Sequence, residues 1–105
     1  MMKIIEVNND NFEDEVMNSN ISVLVDFNAD WCGPCRILGP ILEDIASDRD
    51  DCKIVSINID DEEELTQRYG VYSIPCLILI KDGKEIDRSV GLKSRGDIES
   101  MLGDK

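Results

Sequence analysis

The chain has 105 residues, the size of one domain, and we expect residues 1–105 to form a single domain around one core. Its 23 acidic and 11 basic residues give a net charge of -12, which repels nucleic-acid phosphates and anionic membranes, so neither is an expected partner. No apolar stretch has the length of a signal-peptide core or a membrane span. We therefore predict a cytoplasmic protein.

The first half of the chain alternates predicted strands and helices. A β-branched run predicts a strand over residues 3–8, and apolar residues spaced four apart predict a short helix over 11–18. Consecutive apolar residues over 21–28 predict a strand that is buried on both faces. Apolar residues then recur every four positions over 36–47, which predicts an amphipathic helix that continues through Pro40 despite its missing backbone donor.

The second half continues the alternation and ends in a hairpin. Residues 53–60 predict a strand, and residues 61–70 predict a helix with acidic residues in its first turn. The apolar run over 75–80 predicts another buried strand. Asp82-Gly83 is a typical two-residue hairpin sequence, so the strand over 85–90 should run antiparallel to the one before it.

The last segment predicts a helix. Ser94 precedes Asp97 by three residues, which resembles a capping box and starts a helix over 94–102. The complete order is β-α-β-α-β-α-β-β-α. It predicts an α/β sandwich in which strands joined by helical crossovers are parallel, the last two strands are antiparallel, and helices cover both faces.

The hexapeptide DWCGPC, residues 30–35, is the strongest candidate for chemistry. Two further cysteines stand at positions 52 and 76, and the chain has no histidine. A structural zinc site or an iron-sulfur cluster needs four convergent ligands, and only one closely spaced pair exists. A purely structural disulfide across so short a loop would stabilise little and would be reduced in the cytosol. We favour a third interpretation, a reversible dithiol.

The position of the pair supports redox chemistry. Cys32 follows a buried strand and begins a helix, where unpaired N–H groups and the helix dipole favour a thiolate. Cys35 lies one helical turn later on the same face, within reach of a disulfide. Pro34 suits the first turn because its missing donor would have no partner there, and Gly33 leaves room for the backbone of a partner.

These residues together resemble the thioredoxin family over nearly the whole chain. The segments that carry the resemblance are VDFNADWCGPCR, then YGVYSIPCLILIKDGK, then VG at residues 90–91. The resemblance implies the α/β thioredoxin fold, with a central mixed five-stranded sheet and helices on both faces. It also implies a protein disulfide reductase, a general thiol-disulfide electron carrier that is monomeric. Such a carrier needs no metal and no cofactor beyond the Cys32–Cys35 disulfide. Its partners would be disulfide-containing substrate proteins and a thioredoxin reductase, either a flavoprotein or a ferredoxin-linked one.

The resemblance assigns catalytic roles to three residues. Cys32 matches the exposed nucleophile, Cys35 the resolving thiol, and Asp26 a buried carboxylate that moves the proton of Cys35. The sequence supports this role for Asp26, because burial among apolar neighbours would raise the pKa of its carboxyl. The alternative is an aspartate at the solvent end of the strand.

The resemblance also assigns a substrate surface, which we call the docking rim. Ile74-Pro75 matches a cis-proline turn that faces the cysteines and offers backbone groups to an extended substrate segment. A trans proline at a strand start, and a Trp31 packed into the core, are the alternatives. The docking rim comprises Trp31, Gly33, Pro34, Ile74, Pro75, Val90 and Gly91.

Four residues depart from the family pattern. Asn28 replaces a common aromatic residue, Ser56 replaces a lysine often found near the buried carboxylate, Cys76 replaces a threonine, and Cys52 is additional. Without that lysine, the pKa of Asp26 should rise further, and the family's reduction potential does not transfer. We expect Cys76 to be a buried small hydrophobe, with a regulatory thiol as the alternative.

A binding module is the competing function. The same fold would then grip a partner protein through the surface between Trp31 and Pro75, with no thiol turnover.

Overall fold

A computed structural model describes residues 4–103 of the chain. Within that range the predicted alternation of strands and helices is confirmed. The predicted first strand is shorter than expected, and its Lys3 lies outside the described residues. The elements are β1 (Ile5–Glu6), a short π-helix (Glu13–Met17), β2 (Ser22–Asn28), α1 (Gly33–Asp48), β3 (Cys52–Asn58), α2 (Glu63–Arg68), β4 (Cys76–Lys81), β5 (Lys84–Val90) and α3 (Arg95–Leu102).

The strands form one mixed five-stranded sheet in the order β1-β3-β2-β4-β5. The parallel pairs are β1 with β3 and β2 with β3, as predicted for strands joined by crossovers. The antiparallel hairpin of β4 and β5 is also confirmed. The sheet places the carboxyl ends of the two parallel central strands, β2 and β3, beside each other, and α1 begins there.

The expectation that β4 is parallel to the preceding strands is wrong. β4 pairs antiparallel with β2, and its first residue, Cys76, stands opposite Phe27 near the carboxyl end of β2. β3 ends at the same edge, since Asn58 is in register with Asn28. The six residues of α2 span about 9 Å, whereas the seven residues of β3 span about 23 Å. A helix as short as α2 cannot carry the chain back to the edge of the sheet where β3 began. β4 therefore starts at the edge where β3 ended.

Helices cover both faces of the sheet, as predicted. Side chains of successive residues in β2 alternate between the two faces, so Leu24 packs with α1 and α3 whereas Val25 and Phe27 pack on the opposite side. The α1 side is filled chiefly by Leu38, Leu42, Ile45 and Ile98. The opposite side is filled chiefly by Phe12, Val16, Ile57, Leu65 and Ile78.

Local signals in the sequence fix several element ends. Asp82 and Gly83 have positive φ values of 52° and 76°, the conformation that the tight hairpin turn requires. The Ser94 hydroxyl accepts a hydrogen bond of 3.1 Å from the backbone N–H of Asp97 and so caps α3. The helix α1 runs uninterrupted through Pro40, as predicted.

Candidate active site

Cys32 and Cys35 are joined by a disulfide at the start of α1. Cys32 is the N-cap residue of the helix, and Pro34 lies in its first turn. The Cα atoms of the two cysteines are 5.3 Å apart, which one helical turn provides. The backbone N–H of Cys35 donates a hydrogen bond of 3.2 Å to the Cys32 sulfur. This otherwise unpaired donor at the positive end of the helix can stabilise negative charge on that sulfur.

The disulfide is less exposed than the resemblance implied. Cys32 exposes 5% of its surface and Cys35 exposes 7%, so the expectation of an exposed nucleophile is wrong for this disulfide form. The reason is packing, because Ala29, Ile59 and Ile74 cover the two cysteines. Gly33 and Pro34, between the cysteines, are exposed and form the open side of the site.

Asp26 is buried in the middle of β2. It exposes 6% of its surface, which excludes the alternative of a carboxylate at a solvent-exposed strand end. Burial raises the pKa of Asp26 from 3.8 to about 7, because the ionised carboxylate loses its hydration. Its Oδ1 has no hydrogen-bond partner within residues 4–103. The group can therefore hold or release a proton near neutral pH.

Asn28 and Ser56 surround this carboxyl group with neutral polar atoms. The Asn28 side-chain Nδ2 donates to Asp26 Oδ2 at 3.2 Å and to Ser56 Oγ at 2.8 Å. The bond to Asp26 favours its ionised form, so it lowers the pKa of Asp26 against the larger effect of burial. The two departures from the family pattern thus lie together, beside Asp26.

A cleft of 380 Å³ connects the carboxyl group with the redox pair. Asp26 and Cys35 both line it, with α1 on one side and the ends of β1 and β3 on the other. It is partly open to solvent, and Arg36 is the one basic residue that lines it within residues 4–103. The arrangement suits transfer of a proton between Cys35, Asp26 and the solvent.

Trp31 lies on the surface and not in the core. It exposes 67% of its surface, so the core alternative is wrong. Its indole Nε1 donates a hydrogen bond of 2.8 Å to Asp60 Oδ2, which fixes the ring beside the cysteines. Val90 is also exposed, at 51%. Both are available to contact a partner.

The turn at Pro75 is cis, as the resemblance implied. The Ile74–Pro75 peptide bond is cis, and Ile74 packs against the disulfide. Pro75 is buried, and its carbonyl accepts a hydrogen bond of 2.8 Å from the Gly91 N–H. Gly91 has a φ of 95°, a conformation that other residues rarely adopt. The Pro75 carbonyl is therefore already paired, whereas the backbone of Ile74 has no backbone hydrogen bond within residues 4–103.

The other two cysteines take no part in the Cys32–Cys35 disulfide. Cys76 is buried at the start of β4, and burial raises the pKa of its thiol. Cys52 is half-buried at the start of β3. Across residues 4–103 no three His, Cys, Asp or Glu side chains converge as a metal site. None of the helices within residues 4–103 has both the length and the apolar character of a membrane span.

Comparison with known proteins agrees with this geometry. The thioredoxin family model matches residues 3–104. The chain belongs to the thioredoxin family. It is 45% identical over 96 residues to a thioredoxin of Chlamydia muridarum, covering 91% of this chain and 92% of that one. It is 39% identical over 89 residues to a thioredoxin of Mycoplasmoides gallisepticum, covering 85% and 89% of the two chains.

Family membership and the Cys32–Cys35 disulfide make the chain a protein disulfide reductase. The redox group is the protein's own disulfide, and the partners of the family are proteins with disulfides and thioredoxin reductases. The fold class and the enzyme class predicted from the sequence are thereby confirmed.

Sequence reasoning missed two contacts of the site. The bond from Trp31 to Asp60 joins loops that are distant in sequence, and no pattern in the chain signals it. The contact of Asn28 with Asp26 was accessible, because residues two apart on a strand share a face. The place of Ser56 near the buried carboxyl was not missed, because the resemblance implied it, and in the parallel register Ser56 stands opposite Asp26.

Proposed function

We propose that Cys32 is the nucleophile of the disulfide reductase and that Cys35 resolves the intermediate. The Cys32 thiolate attacks one sulfur of a substrate disulfide, that bond breaks, and one substrate thiol leaves after taking a proton. The product is a mixed disulfide between Cys32 and the substrate. The observation that carries this assignment is the hydrogen bond from the Cys35 N–H to the Cys32 sulfur, because it favours a thiolate at Cys32.

In the second step Cys35 loses its proton to Asp26. The Cys35 sulfur then attacks the Cys32 sulfur, the bond between Cys32 and the substrate breaks, and the second substrate sulfur leaves as a thiolate that takes a proton from the solvent. The protein ends as the Cys32–Cys35 disulfide, and two electrons have passed to the substrate. Asp26 suits the role of base because its pKa is about 7 and it lines the same cleft as Cys35. The proton then leaves through the cleft to the solvent.

The docking rim binds the substrate next to Cys32. Gly33 and Pro34 let a substrate backbone approach the sulfur, while Trp31 and Val90 supply exposed apolar area. The backbone N–H and C=O of Ile74 have no hydrogen bond within residues 4–103. An extended substrate segment can pair with them as an added strand, with Pro75 and Gly91 fixing the turn that presents them.

The setting of the reaction is part of the same proposal. The protein acts as one domain and a monomer in the cytoplasm, as a general carrier with many substrate proteins. A thioredoxin reductase, flavoprotein or ferredoxin-linked, returns two electrons to the disulfide. No metal takes part.

The reduction of insulin by dithiothreitol, followed as turbidity, tests the two-cysteine cycle. The wild type should accelerate it. The Cys35→Ser variant should lose turnover and accumulate a mixed disulfide at Cys32, visible by mass spectrometry. Full turnover in Cys35→Ser, or none in the wild type, would refute the assignment of the two roles.

A further inference from the structure

We propose that Asn28 is a positioning residue that controls which oxygen of Asp26 carries the proton and at what pH it leaves. The inference rests on the proposed role of Asp26 as the base of the second step. It concerns a residue at which this chain departs from the family pattern. We infer that having asparagine at position 28 sets the pH dependence of the second step, in which the substrate is released from the mixed disulfide.

One amide group serves three oxygen atoms. The Asn28 Nδ2 lies 3.0 Å from the Asp26 backbone oxygen, 3.2 Å from Asp26 Oδ2 and 2.8 Å from Ser56 Oγ. An amide nitrogen carries two hydrogens, so the three acceptors compete for two protons. Ser56 therefore limits how strongly Asn28 can bind the carboxylate.

The contact distinguishes the two carboxyl oxygens. Oδ2 accepts from Asn28, while Oδ1 is without a partner among the described residues. An oxygen that accepts an N–H bond is the poorer place for a proton, so protonation is directed to Oδ1. In the proposed cycle the proton of Cys35 is then transferred to Oδ1, and Oδ2 stays bound to Asn28.

Other groups near Asp26 do not replace this donor. Cys35, Arg36 and Glu43 of α1 line the cleft, as do Glu6 of β1 and Asp30 after β2. From β4, the thiol of Cys76 is coupled electrostatically to Asp26. Among the described residues that line the cleft, Arg36 is the one cation, and its side chain is exposed. Within residues 4–103, Asn28 is the side chain that donates to the carboxyl group of Asp26.

The direct test is the titration of the Asp26 carboxyl carbon by NMR in the wild type and in Asn28→Ala. Loss of a donor to the ionised form should raise the pKa of Asp26 by about one pH unit. Asn8→Ala is the matched control, because Asn8 lies at the same end of the sheet and its side chain accepts from the backbone N–H groups of Asp10 and Asn11 instead of donating to Asp26. It should leave that pKa unchanged.

The opposite change should shift the titration in the opposite direction. Ser56→Ala removes a competing acceptor and frees an Asn28 hydrogen for the carboxylate without adding a charge, so the pKa of Asp26 should fall. Ser47→Ala removes an exposed hydroxyl group from α1 and serves as its control. This pair also keeps the proposal testable if Asn28→Ala does not fold.

The second step should show the same shift in its rate. In a Cys52→Ala background, excess of an aromatic disulfide such as 5,5′-dithiobis(2-nitrobenzoate) loads Cys32, and the slower, concentration-independent release of the second thiol reports the attack by Cys35. For Asn28→Ala that rate should be lower than wild type by about three- to tenfold at pH 6 and should approach wild type at pH 9. A merely structural role would lower the rate equally at both pH values.

The outcomes separate the two levels of the proposal. An unchanged or lowered pKa of Asp26 in Asn28→Ala, or an unchanged or raised pKa in Ser56→Ala, would overturn the role of Asn28. If Asp26→Asn releases the second thiol with a wild-type pH profile, the base role of Asp26 fails, and with it the kinetic part of this inference. The NMR titration would still decide whether Asn28 controls the carboxyl group.

Discussion

Replacing Asp26 by asparagine should stabilise the oxidised protein, and the gain should depend on pH. The side chain keeps its shape and can still accept a hydrogen bond from Asn28, but it no longer has to ionise in a buried position. In the wild type the pKa of Asp26 is about 7 in the folded state, against 3.8 for an ordinary aspartate. Between these values the folded protein binds more protons than the unfolded chain, so the free energy of unfolding of the wild type falls as pH rises.

The size of the effect follows from the same two values. The pKa of Asp26 rises from 3.8 to about 7, roughly three pH units, and each corresponds to 1.36 kcal/mol, so the buried charge costs about 4 kcal/mol once the pH exceeds 7. Because Asp26 exposes 6% of its surface, solvent screening reduces this little. The advantage of Asp26→Asn should be near zero at pH 4, should grow through pH 6, and should reach about 4 kcal/mol at pH 8.

Urea unfolding followed by circular dichroism at these three pH values measures the effect. The oxidised protein is used throughout, so that the Cys32–Cys35 disulfide is constant. Asp44→Asn removes one charge from the exposed face of α1 and is the control for net charge. A difference between Asp26→Asn and the wild type that stays constant from pH 4 to pH 8 would refute the account of Asp26 as a buried group that ionises near neutrality.

Three further substitutions test the surface, the core and a helix end. Trp31→Ala should lower kcat/KM for a protein disulfide by roughly five- to a hundredfold, which corresponds to a loss of about 1–3 kcal/mol of binding free energy. Stability should change little because the ring is 67% exposed. A wild-type kcat/KM would remove Trp31 from the docking rim. Leu42→Ala should destabilise the protein by about 2–5 kcal/mol, since Leu42 is fully buried between α1 and the sheet. Ile41→Ala should cost less, because Ile41 is only partly buried. Equal losses of stability would contradict the conclusion that Leu42, and not Ile41, lies on the buried face of α1. Ser94→Ala should lower the free energy of unfolding by about 1 kcal/mol, because it removes the cap of α3. Ser94→Asp should keep the cap and the stability. If thermal and urea unfolding show no loss for Ser94→Ala, the cap contributes nothing to stability.

Local features of the fold follow from the sequence because short-range chemistry determines them. The Asp82-Gly83 turn needs positive φ, and the sequence supplies residues that tolerate it. Ser94 can cap only the helix that it precedes. The apolar period of α1 outweighs its internal proline, because burial of one face stabilises the helix more than one lost hydrogen bond weakens it.

Features that depend on distant segments were not accessible in the same way. The direction of β4 depends on where the short α2 returns the chain, which periodicity does not encode. The burial of Cys32 arises from Ile59 and Ile74, which come from two different connections. In the site, the sequence identified the cysteine pair and the buried carboxyl, whereas the partner of Trp31 emerged only from the fold.

The rate at which iodoacetamide alkylates Cys32 in the reduced protein at pH 7 tests the central claim most directly. That claim is that the start of α1 holds the Cys32 sulfur as a thiolate, through the N–H of Cys35 and the helix dipole. Peptide mass spectrometry assigns the modified residue, and glutathione is the reference thiol. The account predicts that Cys32 reacts several-fold faster than glutathione while the buried Cys76 stays unmodified. A Cys32 that reacts no faster than glutathione would contradict it.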